Sequence, residues 1–269
     1  MIKYYFRMIA LFVLFIIASF SSFAQSKTLV HAHNDYLQQA PFYLAYSQKV
    51  FSIEADIFLT PDGELLVGHT KDELKSDATL EHLYILPIVT LFKKNNGKMW
   101  KGSDQKLQLM LDLKTVTEPT LTQVISLLQK YPKVFDGRQN PNAVWVVITG
   151  NMPLPDEFVK YPPNIFFDGR LGITYSKEQL SKLALISMPF NKYANWIGRD
   201  SLTSSKLERV QAAIDEAHAL GKLIRFWGAP DGPNAWHTFQ TMGVDIINTD
   251  LIEDCVKFFN KRKANSKHQ

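Results

Sequence analysis

The sequence predicts an α/β protein, a (β/α)8 TIM barrel, and three observations predict it. Short apolar runs suited to strands alternate with stretches of helical periodicity and repeat to about eight strands. Chemistry-bearing side chains fall at the C-terminal ends of those runs, where such barrels carry their sites. Glu54 and Asp56, two residues apart in one run, share a strand face opposite Ile53, Ala55 and Ile57. Polar inward and apolar outward is the pattern of a parallel barrel clad by helices.

At 269 residues, 46% hydrophobic and 21% charged, the chain can bury one large core, and it contains no internal repeat. We expect a signal peptide over 1–24, a single catalytic barrel over 25–262 and a polar tail over 263–269. Lys3 and Arg7 precede the apolar run Met8 to Phe20, and small residues at Ser22-Phe23-Ala24 suit cleavage after Ala24. Export to a periplasm or the medium follows as an expectation. An uncleaved anchor is the alternative, and the apolar run is shorter than the ~20 residues a span needs. Without Lys3 and Arg7 the chain has 28 basic against 26 acidic residues, a balance that gives no reason to expect a nucleic-acid partner. Cys255 is the only cysteine, so disulfides and cysteine-based metal sites are excluded.

In order, Thr28 to His33 reads as the first strand and Pro41 to Gln48 as the first helix, with Pro41 in its opening turn. Phe51 to Phe58 is the second strand. Thr60-Pro61-Asp62-Gly63 is a tight turn into a third strand, Glu64 to His69, so no helix separates the two. Ala78 to Lys94 is helical and is kinked or split at Pro87. The fourth strand, Lys106 to Lys114, alternates: Leu107, Leu109, Leu111 and Leu113 on one face, Gln108, Met110, Asp112 and Lys114 on the other. Thr117 is expected to cap a helix reaching Lys130. Val144 to Thr149 is strand five, and Ile165 to Phe167 competes with Leu185 to Met188 for strand six. Between them, Ser176 to Gln179 has the spacing of a capping box. A long helix from Ser204 ends at Gly221, strand seven is Leu223 to Trp227, and a helix from Asn234 stops at Gly243. Val244 to Asn248 is the eighth strand, and residues from Leu251 to Asn260 close the ring.

His33, Glu54, Asp56, His69, Asp112, Lys114, Trp227 and Asp250 all fall at strand ends. Three converging carboxylates without a cation would raise one another's pKa. Glu54, Asp56 and Asp112 therefore point to one hard divalent cation, Mg²⁺ or Ca²⁺, which prefers oxygen ligands. His33 and His69 suit general acid and base roles, in an order the sequence leaves open. Lys114 adds positive charge. The set favours a reaction that builds negative charge on oxygens, and a small or lipid-derived phosphodiester fits it best. Arg225 faces inward, toward either the substrate anion or an interior partner such as Asp250 or Asp112. His31, Asn34 and Asp35 are read as supporting residues around the metal and His33. Asp168-Gly169-Arg170 is first a turn, and an arginine near the phosphate second. Of Tyr193, Trp196 and Trp227, two are expected to pack.

These residues resemble a known family. His33-Asn34-Asp35, Pro41, Ser52 to Asp56, Thr60 to Gly63 and Val67-Gly68-His69 are similar to the opening third of the PLC-like phosphodiesterase superfamily. That superfamily includes glycerophosphodiester phosphodiesterases, phosphatidylinositol phospholipase C and sphingomyelinase D. The branch resembled most is the altered inheritance of mitochondria protein 6 family. Leu111 to Lys114, Arg225-Phe226-Trp227 and Asn248-Thr249-Asp250 extend the likeness at strand ends. The resemblance implies a TIM barrel and a divalent metal on Glu54, Asp56 and Asp112. It also implies catalytic His33 and His69, a phosphate-contacting Lys114 and an aromatic wall at Trp227; Arg225 and Asp250 are candidate substrate-binding residues beside them. Asn34-Asp35 stands where glycerophosphodiesterases carry Arg-Gly, and Asp112 is shorter than their glutamate, which leaves the head group open.

Two rivals remain. Metal-dependent amidohydrolases and histidinol-phosphatase-type hydrolases also open on His-x-His but need later strand-end histidines, and His82, His218, His237 and His268 end no predicted strand. A silent ligand-binding barrel would need neither His33 nor His69.

Overall fold

A computed structural model of the chain describes residues 28–265; the expected leader lies outside the described residues. The chain opens with β1 (Leu29–Ala32) and α1 (Tyr43–Ser47), joined through Phe42, whose φ of 64° is a left-handed conformation. Asp35 holds that corner: its carboxylate accepts from the Phe42 N–H and, at 2.9 Å, from the Tyr84 hydroxyl. Next come β2 (Ser52–Leu59) and β3 (Leu65–Val67). A π-helical turn over Glu81–Ile85 then runs into α2 (Leu86–Lys94), with Pro87 at its start where no N–H is needed. The backbone stays helical through Pro87, so the expected break is instead a change from π to α geometry at Leu86.

After α2 follow β4 (Gln108–Leu113), α3 (Thr117–Gln129), the single turn α4 (Pro132–Phe135) and β5 (Trp145–Gly150). Thr117 does not cap α3. It is the first helical residue, and the cap position belongs to Val116, which makes no side-chain capping bond. Serine or aspartate at that position is worth about 1 kcal/mol more than an aliphatic residue. A 3₁₀ segment, Pro155–Lys160, crosses from β5 to β6 (Ile165–Gly169). The chain continues with α5 (Lys177–Lys182), β7 (Leu183–Pro189), α6 (Ser204–Ala219) and β8 (Ile224–Trp227). It ends with α7 (Pro233–Met242), β9 (Ile246–Thr249) and α8 (Ile252–Asn265). The capping box forms as expected, Ser176 accepting from the Gln179 N–H while the Gln179 side chain accepts from the Ser176 N–H. Gly221 and Gly243 take the positive φ values that end α6 and α7.

The strands follow one another as β1-β9-β8-β7-β6-β5-β4-β2, and β1–β2 pairing closes an eight-stranded parallel barrel. The eight are not the eight expected. Strand three of the sequence reading, β3, is an antiparallel hairpin partner of β2 outside the ring. The two competitors for strand six are both barrel strands, β6 and β7.

Leu107, Leu109, Leu111 and Leu113 pack outward in the main core with Ile53, Ala55 and Ile57, as their alternation requires. Inside the barrel, Met110, Val147, Leu185 and Ile246 form a small apolar plug. The next inward positions along the same strands are Asp112, Thr149, Ser187 and Asn248. The interior thus changes within one layer from grease to polar groups at the C-terminal end. Among the described residues no helix is long and apolar enough to cross a membrane.

Candidate active site

Register brings the acids together. Asp56 on β2 lies directly opposite Asp112 on β4, and Glu54 is one inward position below Asp56. The β2–β3 hairpin supplies His69: it turns the chain back so that Val67 pairs with Ile57 and the Gly68 N–H reaches the Asp56 carbonyl at 3.2 Å. His33 follows β1, whose N–H bonds Thr249 O on β9. A cleft of about 340 Å³ results, lined by His33, Asn34, Glu54, Asp56, His69 and Asp112, and further by Lys114, Arg225 and Trp227. Trp227 is 42% exposed and forms a wall, whereas Trp196 and Tyr193 pack against Phe239 and Phe226, as expected of two of the three.

Glu54, Asp56 and Asp112 each offer an oxygen within 4.8 Å of the others. Lys114 Nζ bridges two of them, 2.8 Å from Asp112 Oδ2 and 3.0 Å from Asp56 Oδ2. The remaining oxygens, Asp56 Oδ1 and Asp112 Oδ1, are buried without a hydrogen-bond partner. Burial and the Asp112 charge push the Asp56 carboxyl up to about 6 against the pull of Lys114. Burial also raises Asp112, despite its bond from Lys114. Lys114 moves up too, since its two carboxylate partners outweigh its own burial. Two unpaired, mutually repelling carboxylate oxygens are the donor set a hard cation fits.

Glu54 differs. Burial works against its charge, yet Arg225 and the bond from His31 hold it well below the usual carboxylate range. Its Oε2 is 2.7 Å from Arg225 Nη1 and 2.6 Å from His31 Nε2. Gln108 Nε2 donates to Ser52 Oγ at 2.8 Å, so the Ser52 hydroxyl can donate onward to His31 Nδ1, also at 2.8 Å. His31 Nε2 lies 2.6 Å from Arg225 Nη1 as well as from Glu54 Oε2, so the ring sits between the two charges. Burial and Arg225 lower the His31 pKa to about 4, which keeps the ring neutral. His31 is therefore a buried prop for Glu54, as its supporting reading required.

Arg225 has its interior partner, and that partner is Glu54 rather than Asp250 or Asp112. Its Nε donates to Ser187 Oγ at 2.9 Å and its Nη1 to Asn248 Oδ1 at 3.0 Å. The group is nearly all buried, so its charge reaches the cleft mainly through Glu54. Asp250 does not point to a substrate phosphate either: its carboxylate accepts from His33 Nδ1 at 2.8 Å. Burial alone would lower the His33 pKa, but that bond together with the charges of Glu54 and Asp250 outweighs it and raises the value. Asp35 does not border the cleft; it holds the Phe42 corner described above. Asn34, at φ 46°, lines the cleft and receives the Tyr36 hydroxyl at 2.9 Å.

Three residues, Tyr36, Thr149 and Gly150, escaped the sequence reading as site members. The Tyr36 hydroxyl is also 2.9 Å from Asp56 Oδ2, and burial followed by Asp56 lifts its pKa above the usual range. Thr149, Gly150 and Arg170 line the cleft. Arg170 Nη1 is 2.9 Å from Asp168 Oδ2, which also accepts from Thr149 Oγ1 at 3.0 Å. A Cβ on Gly150 would lie 1.9 Å from Asp112 Oδ1, so only glycine fits beside that carboxylate. Arg170 is the arginine that the Asp-Gly-Arg turn offered as its second reading. His218 bonds Asp245, His237 bonds Thr241 and His82 bonds a backbone carbonyl, all away from the cleft.

The AIM6-like phosphodiesterase domain matches residues 22–168, more than half of the chain and all of the cleft through Lys114. Over 264 residues the chain is 30% identical to an altered inheritance of mitochondria protein 6 homolog from Arthroderma benhamiae, covering 86% of this chain and 83% of that one. In fold it is similar to a glycerophosphodiester phosphodiesterase from Parabacteroides distasonis (TM-score 0.56, 18% identity, 88% and 99% of the two chains). It is also similar to a phosphodiesterase from Oleispira antarctica solved with its product sn-glycerol-3-phosphate (TM-score 0.51, 12% identity, 87% and 97%). The chain belongs to the AIM6-like phosphodiesterase family and is a phosphoric diester hydrolase.

Proposed function

We propose that the chain is a divalent-metal-dependent phosphodiesterase for a small or lipid-derived phosphodiester, with catalysis shared between His33 and His69. The observation that carries this reading is the oxygen cluster of Glu54, Asp56 and Asp112, with two buried oxygens lacking partners, facing a cleft that both histidines line. Those three residues would hold Mg²⁺ or Ca²⁺, which supplies Lewis-acid stabilisation of charge on the phosphoryl oxygens.

The chain's own groups divide the remaining work. With Nδ1–H donated to Asp250, His33 leaves its Nε2 lone pair free to take a proton, and Asp250 stabilises the imidazolium so formed. His33 is thus the base that deprotonates the attacking hydroxyl, whether water or a hydroxyl of the substrate. His69, carried by a separate element, protonates the leaving oxygen. Lys114 places its ammonium beside the metal ligands, where it balances charge gathering on the phosphoryl oxygens. Tyr36 and His31 hold Asp56 and Glu54 in place, and Arg225 keeps Glu54 ionised. That the neighbour from Oleispira antarctica holds a glycerol phosphate supports a substrate with a polyol or amphiphilic head. Export is part of the proposal and rests on the leader pattern before Gln25.

The test is hydrolysis of bis(p-nitrophenyl) phosphate by the chain from Gln25, before and after EDTA, with Mg²⁺ and Ca²⁺ restored. Metal-restored turnover that His33→Ala reduces at least about 100-fold is the expected result. His69→Ala should cost much less here, because 4-nitrophenolate leaves without a proton, and about 100-fold on a diester with an alkoxide leaving group. Turnover indifferent to EDTA, or to both histidines, would overturn the assignment.

A further inference from the structure

Beside the catalytic cleft lies a second hollow of about 520 Å³, and Lys114 lines both. Its floor and walls come from Leu59, Pro61, Val116 and Pro119, with Thr115 and Thr120 between them. The two threonines turn their polarity inward. Their hydroxyls share a 2.8 Å bond, Thr115 Oγ1 accepts from the Leu59 N–H, and Thr120 Oγ1 donates to the Val116 carbonyl. With those hydroxyls satisfied, the groove presents methyl and methylene surface, and Lys71 and Asn151 stand at its edge.

Val116 is the informative residue. It is 72% exposed, and it occupies the cap position of α3, where an aliphatic side chain is disfavoured and makes no capping bond. Val116 thus presents its side chain to the groove, next to Pro119.

We propose that this groove takes an aliphatic chain of the substrate, so that the preferred phosphodiester is an amphiphile with an alkyl or acyl tail entering past Lys114. The inference rests on the phosphodiesterase reading of the cleft and names its substrate class. The phosphoryl group sits over the carboxylate cluster, and the tail leaves between Lys114 and Val116, covering Pro61 and Pro119. The chain contacts are apolar and non-directional, so the selection is for length rather than for a particular head group.

The experiment compares methyl, butyl, hexyl and octyl esters of 4-nitrophenyl phosphate with the Mg²⁺-loaded protein, below their micellar concentrations. In parallel, calorimetry measures binding of the matching alkyl methylphosphonates, which carry the same single negative charge. Half-burial of each methylene gives about a twofold gain per carbon, or roughly 30-fold in kcat/KM and in affinity from methyl to hexyl. Val116→Asp is expected to fold at least as stably as the wild type, because aspartate caps α3, and to cut that ratio at least fivefold. Leu207→Asp, an exposed change on α6, keeps it. A wild-type response independent of chain length, a gain that survives Val116→Asp, or one seen only above the micellar concentration would overturn the groove. Failure to hydrolyse even the methyl ester, with chain-length-dependent phosphonate binding intact, would leave the groove standing and overturn the catalytic reading instead.

Discussion

Gly150→Ala is the sharpest perturbation of the cleft, because one methyl group meets both the backbone and a metal-ligand candidate. The new Cβ would lie 1.9 Å from Asp112 Oδ1, 2.7 Å from Leu113 O and 2.9 Å from Leu113 N. Asp112 would have to withdraw by about 1 Å, which is beyond the ~0.5 Å within which a metal constellation must be held. The φ of 72° adds a left-handed cost of about 1–2 kcal/mol for any residue with a Cβ. Overpacking against backbone adds about 1–3 kcal/mol, for a total of roughly 2–5 kcal/mol. In a chain of this size that lowers Tm by roughly 5–15 °C. Gly172→Ala isolates the first part, since Gly172 has φ 78° and open space where its Cβ would go. Thermal unfolding and Mg²⁺ calorimetry on both variants separate the effects. Gly172→Ala should lose only the φ cost and bind metal normally, while Gly150→Ala should lose more stability and about 10- to 100-fold in metal affinity. Equal behaviour of the two variants would refute the claim that Gly150 keeps space for the Asp112 carboxylate.

Arg225→Met strands Glu54 as a buried, uncompensated carboxylate and should cost about 3–5 kcal/mol in urea unfolding, part of which Glu54→Gln in the same chain restores. A loss under about 1 kcal/mol would mean that the pair is solvated. Asp250→Asn removes the carboxylate that lifts the His33 pKa, so the ascending limb of the pH–rate profile should move to lower pH. In the same variant kcat should fall about 10- to 100-fold with Mg²⁺ affinity unchanged. Asp35 gives a pH prediction for stability. Burial pushes its carboxyl from 3.8 to about 6 in spite of its two bonds, so the folded state holds the proton more tightly than the unfolded state. Stability from this group is present below about pH 4 and lost as pH rises through 6, by up to about 3 kcal/mol. Asp35→Asn abolishes that loss, so the Tm difference should shift in favour of the variant between pH 4 and pH 8; a constant difference would contradict it.

What the sequence made legible was whatever period 2 carries within one strand. Glu54 and Asp56 share an inward face, and the leucines of β4 point outward while Asp112 points in. The turn Thr60 to Gly63 forced a hairpin, and the hairpin explains how His69 returns to Asp56. Counting strands failed because a run such as Leu65 to Val67 has the same apolar pattern whether it joins the ring or leans on β2 from outside. Partners across the barrel were illegible for a different reason. Arg225 meets Glu54, 171 residues earlier in the chain, only because β1 and β9 close the ring, and no local pattern encodes that closure. For the same reason Asp250 could be placed at the cleft but not assigned to His33. Tyr36, Thr149 and Gly150 sit in ordinary loop and strand-end positions, and what distinguishes them is only the carboxylate that each approaches.

The most direct test of the account is a calorimetric titration of the EDTA-treated protein with Mg²⁺ and with Ca²⁺, alongside Asp112→Asn and Glu54→Gln confirmed folded by circular dichroism. The account predicts one saturable site per chain in the wild type and at least about a 10-fold loss of affinity in each variant. No binding to the wild type, or binding that both variants retain, would contradict the carboxylate cluster as the metal site and remove the basis for its chemistry.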